Sequence, residues 1–324
     1  MQSHQSREND SAPFNFYLAS IYQLQMGILN FWARLSVLFF ISFHLFGCKS
    51  NTVPPPSPYF EPGIAHGTLD NDEIHEASGI VMSINNPGKL WVHNDSGDKA
   101  RLFLIDDSAR YLATVHLPAI HNRDWEDIAL GPGPNNQKSY IYIGDIGDNN
   151  AHFPSKYIYR IEEPMLQEGC TDTSIFLVDT IQFILPDGPR DAEALCINHR
   201  TLDLYIFSKR ESRISLYQLK YPYSTTKINI ALKMMDLPFT QVVAADWSLD
   251  DKELLIKTYK EVYYWSSQDD TSLDAMLQTP AISLPYIPEP QGEAIAWDHQ
   301  RAGFYTISER VGFTRPVLYF YKRK

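Results

Sequence analysis

The chain has 324 residues, 44% of them apolar and 13% aromatic, which is ample for a large core and too apolar for a disordered protein. Its formal charge of −11 argues against a nucleic-acid backbone as partner and favours cations, or substrates carried by cations. No Lys/Arg tract offsets that charge locally.

The first element in chain order is not part of a globule. From Met26 the chain reads MGILNFWARLSVLFFISFHLFGCKS, a single Arg34 followed by a largely apolar run from Leu35 to Phe46 and then Gly47-Cys48. The run is shorter than the roughly 20 residues a spanning helix needs, so it fits the apolar core of a signal peptide. The LFGC sequence resembles a bacterial lipobox, which implies cleavage before Cys48, acylation of its thiol and tethering to a lipid bilayer. An ordinary anchor, or a secretory signal with an incidental cysteine, is the alternative. Residues 1–47 are therefore expected to be a lipoprotein signal, with Met26 a candidate start because polar residues 1–25 are unusual ahead of a signal. The prolines of residues 48–58 read as an extended tether, and residues 59–324 as one domain. An exported setting permits a disulfide between Cys170 and Cys196; two free core cysteines fit the spacing equally well.

The rest of the chain is short runs of Ile, Val, Tyr, Phe and Leu between Gly, Pro, Asn and Asp turns, with no long helical period. Five units start on an acid near a small apolar run: EASGIVMS at Glu76, EDIALGPG at Glu126, EALCINHR at Glu193, ADWSLDDK at Ala245 (acid Asp246) and EAIAWDHQ at Glu293. The spacings are 50, 67, 53 and 47 residues (76 to 126, 126 to 193, 193 to 246, 246 to 293). Four strands repeated at about 40 to 50 residues predict an all-β β-propeller of five four-stranded blades, with six the alternative. The last unit has three strands, and PGIAHGTLD, upstream of Glu76, is predicted to supply its fourth and close the ring.

In such a blade the start of strand one and the end of strand two emerge on one face. The starts supply Glu76, Glu126, Glu193, Asp246 and Glu293; the ends supply Asp95, Asp145, Lys209, Tyr259 and Glu309, and Asn149 follows in the loop DIGDNN. Converging carboxylates raise one another's pKa unless a cation neutralises them, and hard oxygen donors suit Ca²⁺, with Mg²⁺ or Mn²⁺ next. The expected ligands are Glu76, Asp95, Glu126, Asp145, Asn149, Glu193, Glu293 and Glu309; no His or Cys cluster supports zinc. The alternative is that these acids hydrogen-bond neighbouring blades and only cement the ring. Lys209, Arg123, Arg190 and His93 are candidate substrate-binding groups for an anion, and His93 and His121 candidate acid-base groups at the same mouth. No nucleophile elbow, phosphate loop or zinc-protease motif is present.

At SGIVMSINNPGKLWVHNDSGD, RDWEDIALGPG, YIYIGDIGDN, DAEAL and QGEAIA the sequence resembles exported bacterial β-propellers similar to the phytase-like esterase propellers, and more distantly the SMP-30 and NHL propellers. The resemblance implies a propeller whose acidic mouth binds calcium, which in turn binds the substrate anion. The strand-one motifs of the phytases are not reproduced residue for residue, so the expected activity is broad: metal-dependent hydrolysis of a phosphoester, ester or lactone. Glu126 or Glu193 would be the general base and Lys209 would orient the anion. The alternative is a non-catalytic, calcium-stabilised binding module for an envelope partner. Either way the expectation is a monomer, exported and lipid-anchored to the envelope through Cys48.

Overall fold

The structure is a computed structural model and describes residues 57–268 and 271–324. The expected signal and Cys48 lie outside the described residues. Strand β1 (Ile64–Thr68) joins the last sheet, and the next four strands, β2 (Ala77–Met82), β3 (Lys89–Asn94), β4 (Arg101–Asp106) and β5 (Tyr111–His116), form the first blade. The second blade contains β6 (Trp125–Pro132), β7 (Ser139–Asp145), β8 (Lys156–Glu162) and, after β9 (Asp172–Ser174), β10 (Asp179–Ile184). The third has β11 (Ala192–Ile197), β12 (Leu204–Ser208), β13 (Ile214–Leu219) and, after β14 (Asn229–Ile230), β15 (Leu232–Leu237). The fourth has β16 (Val242–Trp247), β17 (Glu253–Thr258), β18 (Val262–Ser266), helix α1 (Leu273–Leu277) and β19 (Ile282–Leu284). The fifth has β20 (Gly292–Trp297), β21 (Gly303–Ser308) and β22 (Val317–Lys322), whose outer edge pairs with β1.

The protein is thus a five-bladed propeller closed by its N-terminal strand, and no sixth blade exists among the described residues. Two features were not legible in the strand pattern. The short strands β9 and β14 run parallel to the outer strands β5 and β10, each crossing from one blade to the rim of the one before it.

The five first strands, β2, β6, β11, β16 and β20, contact one another in a ring around the axis. They are buried almost throughout, so they read as continuous apolar runs and not as alternating ones. The core is accordingly five layers, one between each pair of neighbouring blades: Tyr142 and Ile158 meet Ile206 and Tyr217, for example, while Phe103 and Ile105 meet Ile307 and Leu318. Cys196 is buried in one such layer and Cys170 lies in a loop; both thiols are free.

Each inner strand carries a β-bulge at the same place, where Ser78, Glu126, Glu193, Val243 and Glu293 lack a ladder partner. A bulge shifts the alternation of side chains by one residue and re-aims them. It sets what faces the axis, and it corrects the alignment expected from sequence. Glu126, Glu193 and Glu293 are equivalent; their counterparts are Ser78 and Val243, not Glu76 and Asp246. Glu76 belongs with Asp124 and Asp191, two residues before the bulge.

Candidate metal centre

The bulged ends of the inner strands and the ends of the second strands form one mouth of the axial channel. Ladder pairing matches Asn94, Asp145, Ser208, Thr258 and Ser308, so the next residues, Asp95, Lys209, Tyr259 and Glu309, are equivalent. In the second blade that place is taken by Gly147, whose N–H donates to the Asp124 carbonyl just as that of Asp95 donates to Glu76 and that of Lys209 to Asp191. Ile146 turns into the core. Gly147 carries no positive backbone angle; it is required by space, because a Cβ there would lie 2.0 Å from Glu126 Oε1 and 2.5 Å from Asp124 Oδ2.

Seven acids converge. Ligand atoms lie within 4.8 Å of one another in three groups: Asp95, Glu293 and Glu309; Asp95, Asp124 and Glu126; and Glu126, Asp191 and Glu193. Asp95 and Glu126 each belong to two groups, so the three form a continuous arc. Among the expected ligands, Asp95, Glu126, Glu193, Glu293 and Glu309 are brought together, whereas Asp124 and Asp191 were missed. Their signal was available: each stands two residues before a strand-one acid, in RDWED and RDAE. Glu76 sits at the rim, partly exposed and 3.7 Å from His75.

Asp145 and Asn149 are not in the arc. Asp145 faces away, 3.1 Å from Arg123 Nε and 3.3 Å from the Tyr159 hydroxyl, while Asn149 accepts a bond from Arg210. Arg123 is held by Asp145 and stacks on Phe153, its guanidinium carbon 4.3 Å from the ring centroid. Arg190 is paired with Asp187 and Glu211, at 2.9 and 2.6 Å. His121 is exposed on the loop into β6. His93 is fully buried beneath the mouth against Gly79, its Nδ1 3.0 Å from the Asn94 carbonyl, and desolvation depresses its pKa to about 4. Its burial keeps it from presenting a charge to an anion at the mouth. The second acids of the paired D-x-G-D loops serve those loops: Asp98 is gripped by Arg101, and Asp148 accepts N–H bonds from His152 and Phe153 at 2.7 and 2.8 Å.

The electrostatics of the arc are uneven. Glu193 is 2.6 Å from Lys209, which also faces Glu293 at 3.9 Å and Tyr259; Asp191 is bound by Arg210; and Glu293 accepts from the Tyr259 hydroxyl. Asn122 holds the Asp95 carbonyl at 2.6 Å. Glu126 and Asp124, only 3% and 9% exposed, receive no hydrogen bond to their carboxylates among the described residues. Burial, then neighbouring Glu193, Asp95 and Asp124, pushes Glu126 well above the usual carboxylate range. Burial likewise lifts Asp95 to about 7, Glu193 to about 8 against the opposing pull of Lys209, and Glu309 to about 9 beside Glu293.

Several buried acids elsewhere in the ring are treated differently, although Glu289 too is buried with neither carboxylate oxygen hydrogen-bonded. On the opposite face Glu163 accepts from Ser83 Oγ, the Ile84 and Asn85 N–H groups and Trp91 Nε1, at 2.5 to 3.1 Å, joining the first two blades. Asp251 accepts from the His199 N–H at 2.8 Å, and Asp246 from the Trp297 N–H at 2.7 Å, each tying one blade to the next. These acids are the ring's cement. No family model and no curated protein sequence matches the chain, so the chemistry of the mouth is argued from its geometry.

Proposed function

We propose that the acidic mouth binds a divalent cation, calcium first among candidates, and that the protein is an exported metal-dependent hydrolase of a phosphoester, ester or lactone. The observation that carries this reading is the cluster itself: Asp124 and Glu126 are buried carboxylates without a hydrogen-bond donor among the described residues, with ligand atoms within 4.8 Å of those of Asp95. A buried carboxylate is costly unless it is protonated, paired or coordinating a metal. The donors are hard oxygens at irregular spacing, which calcium tolerates better than magnesium.

The cation would bind at Asp95, Asp124 and Glu126, which form no ion pair with a lysine or arginine among the described residues, with Glu309 and Glu293 beside Asp95 and Lys209 3.9 Å from Glu293. Bound there it would supply Lewis acidity and a more acidic water. Glu193 lies next to Glu126 in the arc, where Lys209 holds it in place; once ionised it is positioned to accept a proton from a nucleophile, and its pKa near 8 suits that exchange. Lys209 is 6% exposed and bound to Glu193, so it acts on a substrate by holding that base rather than as a free anion clamp. The same occupation of Lys209 favours, as second reading, a calcium-stabilised binding module.

Calorimetric titration of the chelator-stripped protein with Ca²⁺, Mg²⁺ and Mn²⁺ tests the proposal, alongside Glu126→Gln and Gly147→Ala. Calcium binding lost in Glu126→Gln and weakened at least tenfold in Gly147→Ala is expected. Absence of binding by the wild type rejects the metal reading; binding without turnover of phosphoester, ester or lactone substrates selects the module.

A further inference from the structure

We infer that Lys257, a fully buried lysine behind the mouth, is a positioning residue for the arc: it clamps the bulge of β20 and so aims Glu293, serving the site rather than the stability of the ring. The inference rests on the reading of the mouth as a cation site.

Lys257 is the penultimate residue of β17, and its side chain crosses from the fourth blade to the fifth. Its Nζ donates to the Gly292 carbonyl and, at 3.4 Å, to that of Thr258, and lies 4.7 Å from the centroid of the Tyr286 ring. Gly292 is the last paired residue before the bulge of β20, and the carbonyl that Lys257 holds belongs to the peptide bond joining it to Glu293. A Cβ on Gly292 would stand 3.0 Å from the Lys257 Nζ and 2.5 Å from the Tyr286 hydroxyl, so the glycine leaves room for the ammonium. Glu293 is thereby held at both ends, its backbone by Lys257 and its carboxylate by the Tyr259 hydroxyl. Glu126 has a comparable support: the Ser78 hydroxyl, from the preceding blade, donates to the Glu126 carbonyl at 2.5 Å.

The ring itself has no need of an ammonium there. The ladders put His93, Gly144, Phe207 and Ile307 at the same place in the other blades, opposite Gly79, Asp127, Ala194 and Ala294, as Lys257 is opposite Ala244. None of the four brings a buried ammonium. Its counter-charge is Glu289, which is buried, has neither carboxylate oxygen hydrogen-bonded and forms no direct ion pair with Lys257 among the described residues. Burying two charges in this way returns no more stability than a well-packed neutral pair would. Burial lowers the Lys257 pKa to about 8, and Glu289 and Glu293 oppose that shift, so the ammonium lies within the field of an acid of the arc. Arrangements that cost stability without local return concentrate at functional sites.

Lys257→Met/Glu289→Gln tests the inference, because it removes both charges together and keeps the two side-chain shapes. Scanning calorimetry in chelator and calorimetric titration with Ca²⁺ are the readouts. The expected result is a melting temperature no lower than that of the wild type with a calcium affinity weaker by about fivefold. With Glu293→Gln already in place, the same two changes are expected to alter calcium affinity by less than about twofold, because Lys257 acts through that acid. A pair variant that melts several degrees lower and binds calcium as the wild type does makes Lys257 cement and overturns the inference. So does an undiminished loss in the Glu293→Gln background. If the wild type binds no calcium, the cation reading fails, and the clamp is judged by hydrogen exchange at Glu309, whose N–H donates to the Gln291 carbonyl at 2.9 Å beside the bulge. Faster exchange there in the pair variant supports the clamp, and unchanged exchange overturns it.

Discussion

Glu126 and Asp127 are neighbours in the chain, both carboxylic and both under 4% exposed, yet they have opposite physical situations. The bulge at Glu126 turns its carboxylate into the acid arc without a donor. Asp127 accepts the N–H groups of Leu195 at 2.8 Å and Ala245 at 3.1 Å and its own Ile128 at 2.9 Å, so one side chain bridges three inner strands. Removing a buried acceptor with several donors leaves those donors unmade, each costing roughly 1–3 kcal/mol. Asp127→Ala is therefore expected to lose about 3–5 kcal/mol in urea unfolding. Glu126→Gln is expected to melt no lower than the wild type in chelator, because it removes an uncompensated buried acid. Equal destabilisation by both changes would make Glu126 cement too.

At the scale of elements, closure depends on β1 lying flat on β22. Register breaks between Ala65 and Gly67, and a Cβ on Gly67 would lie 1.9 Å from the Ser108 carbonyl oxygen, which is backbone and cannot swing aside. Gly67→Val must displace the closing strand and open the edge of β22. A cost of roughly 2–4 kcal/mol, or about 5–10 °C in melting temperature for a domain of this size, is expected by calorimetry. An unchanged melting temperature would show that the ring is held without β1. The closing strand was legible because PGIAHGTLD is the one spare apolar run and the last unit lacked a fourth strand. The register of the acids was less so. Glu76 to Asp95 and Glu126 to Asp145 both span 19 residues, which suggested that Asp95 and Asp145 are equivalent. The second-blade hairpin is longer, however, β6 having eight residues and β2 six, and a bulge plus the inward turn of Ile146 puts Gly147 where Asp95 stands. Spacing counts residues, whereas the direction of a side chain depends on the parity that a bulge reverses.

For the whole molecule, two sets of buried groups pull stability in opposite directions with pH. Asp95, Glu193 and Glu309 titrate in the fold near 7, 8 and 9, and Asp246, away from the mouth, near 7, all above their values in an unfolded chain. Between those limits the folded protein holds protons that the unfolded chain has released, so stability falls as pH rises from about 4 to about 9. His93 and His299 are displaced the other way, to about 4, so below pH 6.5 the unfolded chain binds the extra protons and stability falls as pH falls. Four carboxyls outweigh two histidines, so in chelator the melting temperature should decline from about pH 5 to pH 9, less steeply below pH 6.5 where the histidines oppose the fall. A cation at the mouth takes the place of the protons on Asp95, Glu126 and Glu309, so calcium should flatten the decline above pH 6.5. Asp246, hydrogen-bonded to Trp297, would leave a small residual slope. Scanning calorimetry from pH 5 to 9 with and without calcium reads the slope. A decline that calcium does not change would mean that the arc carries its own protons at rest and that the mouth recognises something other than a metal.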